Sequence, residues 1–302
     1  MIDERAHTMS AGDFAATFLP ERGMLGVSLT HRGEEILRLV DEFEAATTTG
    51  KSIGIPLNHP WANRLSGSEY RAAGRKVDLD PESPLLQRDW NDIIIHGVPW
   101  ARLTWQQLDA SETSLASRLD WNRPELLEVF PYEHQVEITA SLDGQGLTVT
   151  TAVIASGKDS VPVSFGFHPY IAVPGLSRRD WHLVLPQMQV IVLDERLLPV
   201  GDRKPFAGHD GPLGDLEFDH GFAFESEPAT MSIAGNGRRV SVDFLRGFPY
   251  AQIYAPSSHD HISLEPMTAP ANALISGEGL RVLAPGERFE AVFRIRVDDM
   301  PE

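Results

Sequence analysis

The sequence predicts an all-β protein, a large sandwich of antiparallel strands. Three observations carry that expectation. Apolar residues alternate with polar ones over short runs, the pattern of half-buried strands. Turn signals recur along the chain, supplied by 25 glycines and 22 prolines with no collagen-like period. Helical periodicity is almost absent, and Pro124–Val129 (PELLEV), with proline at a tolerated first-turn position, is one of the few places that reads as a helical turn. With 302 residues, 42% of them hydrophobic, the chain can bury a sizeable core. No linker, low-complexity run or short-period repeat divides it, so one domain is expected over residues 13–300, after a flexible lead-in at 1–12.

In chain order, Asp13–Val40 sets short apolar runs between Glu21-Arg22-Gly23 and His31-Arg32-Gly33-Glu34, and reads as a β-meander. Glu42–Lys51 is polar and Thr-rich, a turn region. Ser52–Gly67 (SIGIPLNHPWANRLSG) contains Pro56, Asn58, Pro60 and Asn63, which argue against a long regular element. Its Trp61 and Arg64 suit a binding wall for a polar ligand, and equally a loop whose tryptophan packs inward and whose arginine is solvated. Lys76–Asp89 is polar. Asp92–Val98 (DIIIHGV) is a short buried strand ending at His96-Gly97, and Trp100–Leu108 and Ser114–Trp121 read as two more strands. His134–Val153 is the clearest hairpin, turned by Asp143-Gly144-Gln145-Gly146. Val161–Phe167, Leu183–Leu193 and Leu197–Pro205 continue the β pattern. Gly208–Glu225 is a Gly/Asp loop ending at Asp219-His220. Met231–Phe244 is a second hairpin, Ala251–Ala255 and His261–Leu264 are short strands, and Gly279–Val297 closes with two strands around Ala284-Pro285-Gly286-Glu287.

Two titratable residues stand at expected strand ends directly before a proline: His168 in FGFHPY and Glu265 in SLEPMT. Proline gives no N–H to a ladder and pushes its predecessor out of the α region, so the strand loosens there and aims the side chain off a rigid sheet. An imidazole and a carboxylate, with ordinary pKa values near 6.5 and 4.3, suit an acid–base pair working near neutral pH. The same histidine also fits a packed structural turn. A metal site from His96, His168, His220 and Glu265 is the weaker reading, because no HExxH run is present. Asp219 and Glu265 could serve as the paired carboxylates of a glycosidase. Neither a GxSxG elbow nor a P-loop occurs.

Composition narrows the partners. The formal charge of −17 argues against nucleic acid and, more weakly, against anionic membranes. The absence of cysteine excludes disulfides and thiolate sites, and suits a reducing compartment. The first residues, MIDERAHTMS, are charged, and no apolar run is long enough to span a bilayer, so a cytoplasmic location is expected.

Six segments, in order, carry a resemblance: NHPWANRLSG, IIIHGVPW, FGFHPYIAV, FDHGFAF, YAQIYAP and SLEPMTAPANAL. Together they resemble the aldose 1-epimerase (galactose mutarotase) family, from about Gly23 to Val297. The resemblance implies the galactose mutarotase-like supersandwich, with a sugar site on a concave face. It implies His168 as general acid and Glu265 as general base, with Arg64, His96 and Asp219 holding sugar hydroxyls. Trp61 or Trp100 is a candidate platform for the sugar's apolar face, set against the packing role that large rings more often take. The chain has HGV where the family has HGG, and Ile171 where an aromatic commonly follows HPY. The implied activity interconverts the α and β anomers of a free aldose, with no cofactor and no metal. The alternatives are a hexose-6-phosphate 1-epimerase, for which Arg71, Arg75, Lys76 and Arg88 would supply a basic cluster, or a carbohydrate-binding protein without turnover.

Overall fold

The computed structural model describes residues 6–39 and 43–300. Two large antiparallel sheets dominate it. The first has nine strands, running in space from Gln106–Ala110 through Ser114–Trp121, His134–Asp143, Gly146–Ile154, Arg288–Asp299, Arg238–Arg246, Ala229–Gly235 and His182–Leu185 to His209–Pro212. The second has eight, running from Pro199–Phe206 through Met188–Leu193, Phe218–Ala223, Tyr250–Ala255, Ile262–Met267 and Gly166–Phe167 to Leu57–Asn58, with Tyr170–Ile171 also paired to Ile262–Met267. A four-stranded meander formed by residues 7–35 is a separate sheet packed on Ser114–Trp121 and His134–Asp143, with Met9, Phe14 and Leu29 in the main core.

The expected alternation is the reason these strands sit where they do. Ser114–Trp121 and His134–Asp143 bury every second residue, so one face meets the core and the other meets solvent. Ile262–Met267 instead buries all six of its residues. Its Ile262 and Leu264 join the main core, whereas Met267 packs with Ala62, Ile191, Ala223 and Tyr250 in a separate small cluster on the opposite face. The smaller sheet is therefore covered on both sides, and its second face floors the cleft described below.

Several elements differ from their sequence-based expectation. His7–Ala11, expected within a loose lead-in, pairs as a strand with Phe14–Leu19, while residues 1–5 lie outside the described residues. Phe43–Thr49 is a short helix rather than a turn, and Trp100–Arg102 is a 3-10 turn. Asp219 lies inside the strand Phe218–Ala223, not at the end of a loop. Pro266 does not end its strand: it pairs with Ala251, so Glu265 is a mid-strand residue. The expected strand Val161–Phe167 is two pieces, Val161–Val163 paired with Arg281–Leu283 and Gly166–Phe167 on the smaller sheet. Pro124–Val129 is the helix expected there, and both hairpins turn where expected. No helix among the described residues is long and apolar enough to cross a membrane.

A buried polar pair anchors the loop that leads to the cleft. His59 Nε2 and His134 Nε2 are 2.8 Å apart among Trp121, Phe130 and Phe165. His134 Nδ1 lies 2.6 Å from the Tyr132 carbonyl. A carbonyl only accepts, so Nδ1–H donates to it, His134 Nε2 is left as acceptor, and His59 Nε2–H donates. Burial drives both imidazoles neutral, lowering His134 to about 4 and His59 well below its ordinary value.

Candidate active site

The cleft is assembled by strand register. Asp219 lies on Phe218–Ala223, Gln252 and Tyr254 on Tyr250–Ala255, and Glu265 on Ile262–Met267; these three strands are neighbours. Asp219 pairs across with Tyr254, and Gln252 with Glu265. Cross-strand partners share a face, and side chains two apart on one strand do too, so Asp219, Gln252, Tyr254 and Glu265 all project from the same side. Beyond Glu265 the partner chain is interrupted. Gly166 pairs with Met267 and Tyr170 pairs with Ser263, which leaves His168 opposite Glu265 in the gap between two short ladders. Pro169, which cannot donate to a ladder, sits in that gap. Gly166 is required on this edge because a Cβ there would lie 2.6 Å from the Pro266 carbonyl oxygen.

His168 Nε2 and Glu265 Oε1 are 3.1 Å apart, and both side chains are almost fully buried. Burial lowers His168 well below its ordinary value, with the His96 ring adding to the effect. Burial raises Glu265 well above its ordinary value, helped by Asp219 and opposed by Arg64. Both shifts disfavour the charged forms, so the pair keeps a single proton around neutral pH. At 3.1 Å that proton can lie on either partner: as the carboxyl O–H donating to Nε2, or as Nε2–H donating to the carboxylate. His168 Nδ1 and Glu265 Oε2 have no hydrogen-bond partner among the described residues.

Arg64 is equally buried. Its Nε donates to Asp89 Oδ2 at 2.7 Å and its Nη2 to Asp219 Oδ2 at 3.3 Å. Asp219 Oδ1 accepts from Gln252 Nε2 at 2.6 Å. This chain of planar groups is fixed by its own contacts and still has guanidinium N–H and carboxylate lone pairs to offer a ligand.

His96 is set by backbone geometry. It and Gly97 both take positive φ, 61° and 65°. A Cβ on residue 97 would lie 2.3 Å from the His59 carbonyl oxygen, so glycine is needed for His59 to approach. The His59 carbonyl accepts the Val98 N–H at 2.9 Å, so valine in place of a second glycine leaves the turn intact. His96 Nδ1 accepts the Asn63 N–H at 3.3 Å, which puts the imidazole proton on Nε2. Its ring meets His168 edge-on at 5.5 Å, and burial lowers its pKa to about 3. His96 is thus a neutral hydrogen-bonding group.

Arg64, His96, His168, Asp219 and Glu265, five residues scattered through the sequence, all line one cleft of about 430 Å³. Asp89, Trp90, Tyr170, Gln252, Tyr254 and His261 line it too and were missed in the sequence. Gln252 and Tyr254 had a signal there, since alternation puts both on one face of Tyr250–Ala255. The Asp89-Trp90 turn had none. Trp61 and Trp100 are 1% and 2% exposed and lie in the core, so neither serves as the sugar platform. His220 is exposed and does not line the cleft. Arg71, Arg75 and Lys76 sit on the hairpin 69–78, bound to Glu69, Asp78 and Asp159; of the four basic residues considered for a phosphate, only Arg88 borders the cleft. Among the described residues no group of three His, Asp or Glu side chains could hold a metal ion.

A two-sheet β fold with a buried histidine–glutamate pair in a polar cleft has clear relatives. The aldose 1-epimerase family profile matches residues 8–296, and the chain belongs to that family. It is 25% identical over 303 residues to YihR, an uncharacterized protein of Escherichia coli K12, covering 95% of this chain and 92% of that one. Among solved structures, a galactose mutarotase-like protein from Clostridium acetobutylicum superposes with a TM-score of 0.83 at 19% identity, covering 97% of this chain and 95% of the other. A putative aldose 1-epimerase from Escherichia coli K12 does so with a TM-score of 0.79 at 21% identity, covering 98% and 99%. The fold is the galactose mutarotase-like sandwich that these structures share.

Proposed function

We propose that the protein is an aldose 1-epimerase that interconverts the α and β anomers of a free sugar by acid–base ring opening and closure. The observation that carries this reading is the 3.1 Å contact between His168 and Glu265 on the wall of the cleft. The ring oxygen and the anomeric hydroxyl are bonded to the same carbon. An acid and a base serving them must be immediate neighbours, as these two are. With the proton on His168, Glu265 Oε takes the anomeric hydroxyl proton while Nε2–H protonates the ring oxygen. The bond between C1 and the ring oxygen breaks as the C1 carbonyl forms. Rotation about C1–C2 presents the other carbonyl face, and the reverse transfers close the ring as the opposite anomer. The pair holds one proton throughout, and ring opening exchanges one of its two tautomers for the other.

Burial sets the energetics. It makes the charged His168–Glu265 form costly relative to the neutral one, so a buried imidazolium and carboxylate give up and take up a proton more readily than solvated ions would. Arg64, Asp219, Gln252 and the Nε2–H of His96 supply donors and acceptors for the sugar's hydroxyls. Freshly dissolved α-D-glucose and α-D-galactose test the reading by polarimetry. The protein should accelerate the approach to the equilibrium rotation beyond the buffer rate. Tight sugar binding with no acceleration would make it a carbohydrate-binding protein, and acceleration with glucose 6-phosphate alone would make it a phosphosugar enzyme.

A further inference from the structure

We propose that Trp90 is a substrate-recognition residue, its indole forming the wall of the cleft mouth against which the C–H face of the bound sugar lies. This deepens the aldose 1-epimerase reading and rests on it for the nature of the ligand.

The chain has six tryptophans. Trp61, Trp100, Trp105, Trp121 and Trp181 are 0–3% exposed, whereas Trp90 is 70% exposed. An indole left open to water forgoes the burial that large rings otherwise gain, and such exposure at a cleft marks a contact surface. Trp90 lines the same cleft as His168 and Glu265. The turn that carries it is ordered. Asp89 Oδ1 accepts the N–H groups of Asn91 and Ile93 at 2.9 and 3.0 Å, and the Asp89 N–H bonds the Ile93 carbonyl at 2.9 Å, which closes the turn that carries the indole. The other oxygen of the same carboxylate holds Arg64. The Arg64 guanidinium lies 5.2 Å from the centre of the Trp90 ring, which places the indole beside the residue that also binds Asp219.

The result is an aromatic surface carried on a hydrogen-bonded turn and joined by one arginine to the carboxylate of Asp219. A pyranose is amphipathic in the matching way, with C–H groups across its faces and hydroxyls around its rim. Arg64, Asp219 and Gln252 would take the rim while Trp90 takes a face. Trp90 acts on binding, through a contact made alike in the ground and transition states, and so sets KM and the choice among sugars more than kcat.

Because Trp90 is the solvent-exposed tryptophan, acrylamide quenching of intrinsic fluorescence selects it over the five buried ones. The probes are D-glucose, D-galactose, D-xylose and maltose at anomeric equilibrium, titrated against the full chain with acrylamide as quencher, beside polarimetric rates for the same sugars. At least one sugar should shift the emission to the blue and protect it from acrylamide saturably, and Trp90→Phe should abolish that response. Trp90→Ala should raise KM for that sugar about tenfold, the equivalent of 1.4 kcal/mol of binding, with a much smaller fall in kcat. Turnover with no change in quenching for any sugar, or a Trp90→Ala enzyme with KM within about twofold of the parent, overturns the role of Trp90 and leaves the epimerase reading standing. Saturable protection without turnover overturns the epimerase reading and keeps Trp90 as a sugar contact. Neither protection nor turnover overturns both.

Discussion

Glu265→Gln removes the proposed base and little else. The amide has the shape of the carboxyl group and can still face His168 Nε2 across the 3.1 Å gap, but it cannot take a proton. Loss of one positioned proton-transfer group costs about 10²–10⁴ in rate, or about 2.7–5.4 kcal/mol of barrier at 1.36 kcal/mol per decade. The fold should survive. Glu265 Oε2 has no partner among the described residues, and the carboxyl is held above its ordinary pKa mainly by burial, so a neutral amide replaces a group that is costly to ionise there. The assay is the polarimetric rate for a fresh α-aldose after subtraction of the spontaneous rate, with thermal unfolding as the control. The Glu265→Gln variant should keep the parental melting temperature or exceed it, and should lose nearly all acceleration. A folded variant retaining more than about a tenth of the parental kcat/KM would refute the assignment of Glu265 as base, because among the described residues no other carboxylate pairs with His168.

Other outcomes follow from the same contacts. Gly97→Ala forces a Cβ onto the His59 carbonyl at 2.3 Å in a positive-φ conformation, so it should destabilise by about 1–3 kcal/mol and slow turnover by shifting His96, both read by urea unfolding and polarimetry. Arg64→Met strands Asp89 as a buried charge; a loss of about 3–5 kcal/mol in unfolding free energy and a raised KM are expected, and a stability unchanged from the parent would contradict the ion-pair account. Acid should weaken the fold. His134 is held at about 4 against an ordinary value of 6.5, so the unfolded chain binds the extra proton; its contribution is complete above pH 6.5 and falls by about 1.4 kcal/mol per pH unit down to about pH 4. His59, His96 and His261 act in the same direction through their lowered values, while Glu265 opposes them, so chemical denaturation should give a lower unfolding free energy at pH 5 than at pH 7.5. An unfolding free energy at pH 5 equal to or above that at pH 7.5 would show those imidazoles to be solvated.

Much of the fold was legible because strand alternation is a local property. Ser114–Trp121 and the hairpin around Asp143–Gly146 declare themselves in ten or twenty residues. The candidate site was legible only in pieces. His168 stood out through the proline that follows it, and the structure adds a reason that no local reading contains: a gap in pairing directly opposite Glu265. The same proline argument misplaced Glu265 at a strand end, because neighbouring strands on both sides carry Pro266 within the sheet. Asp219 looked like a loop residue because Gly208–Gly214 is glycine-rich, yet strand pairing with Tyr250–Ala255 overrides that composition. Trp61 and Trp100 were visible as aromatics, but which rings face the core is settled by tertiary packing alone, and the exposed indole proved to be Trp90.

In the proposed reaction His168 and Glu265 pass one shared proton to and from the two oxygens on a single sugar carbon. A crystal structure of the Glu265→Gln variant soaked with D-galactose or D-glucose tests this most directly. His168 Nε2 should lie within about 2.6–3.2 Å of the ring oxygen, residue 265 at the same range from the anomeric hydroxyl, and Arg64 and Asp219 on the remaining hydroxyls. A sugar seated in the cleft with its anomeric carbon turned away from both residues would contradict it.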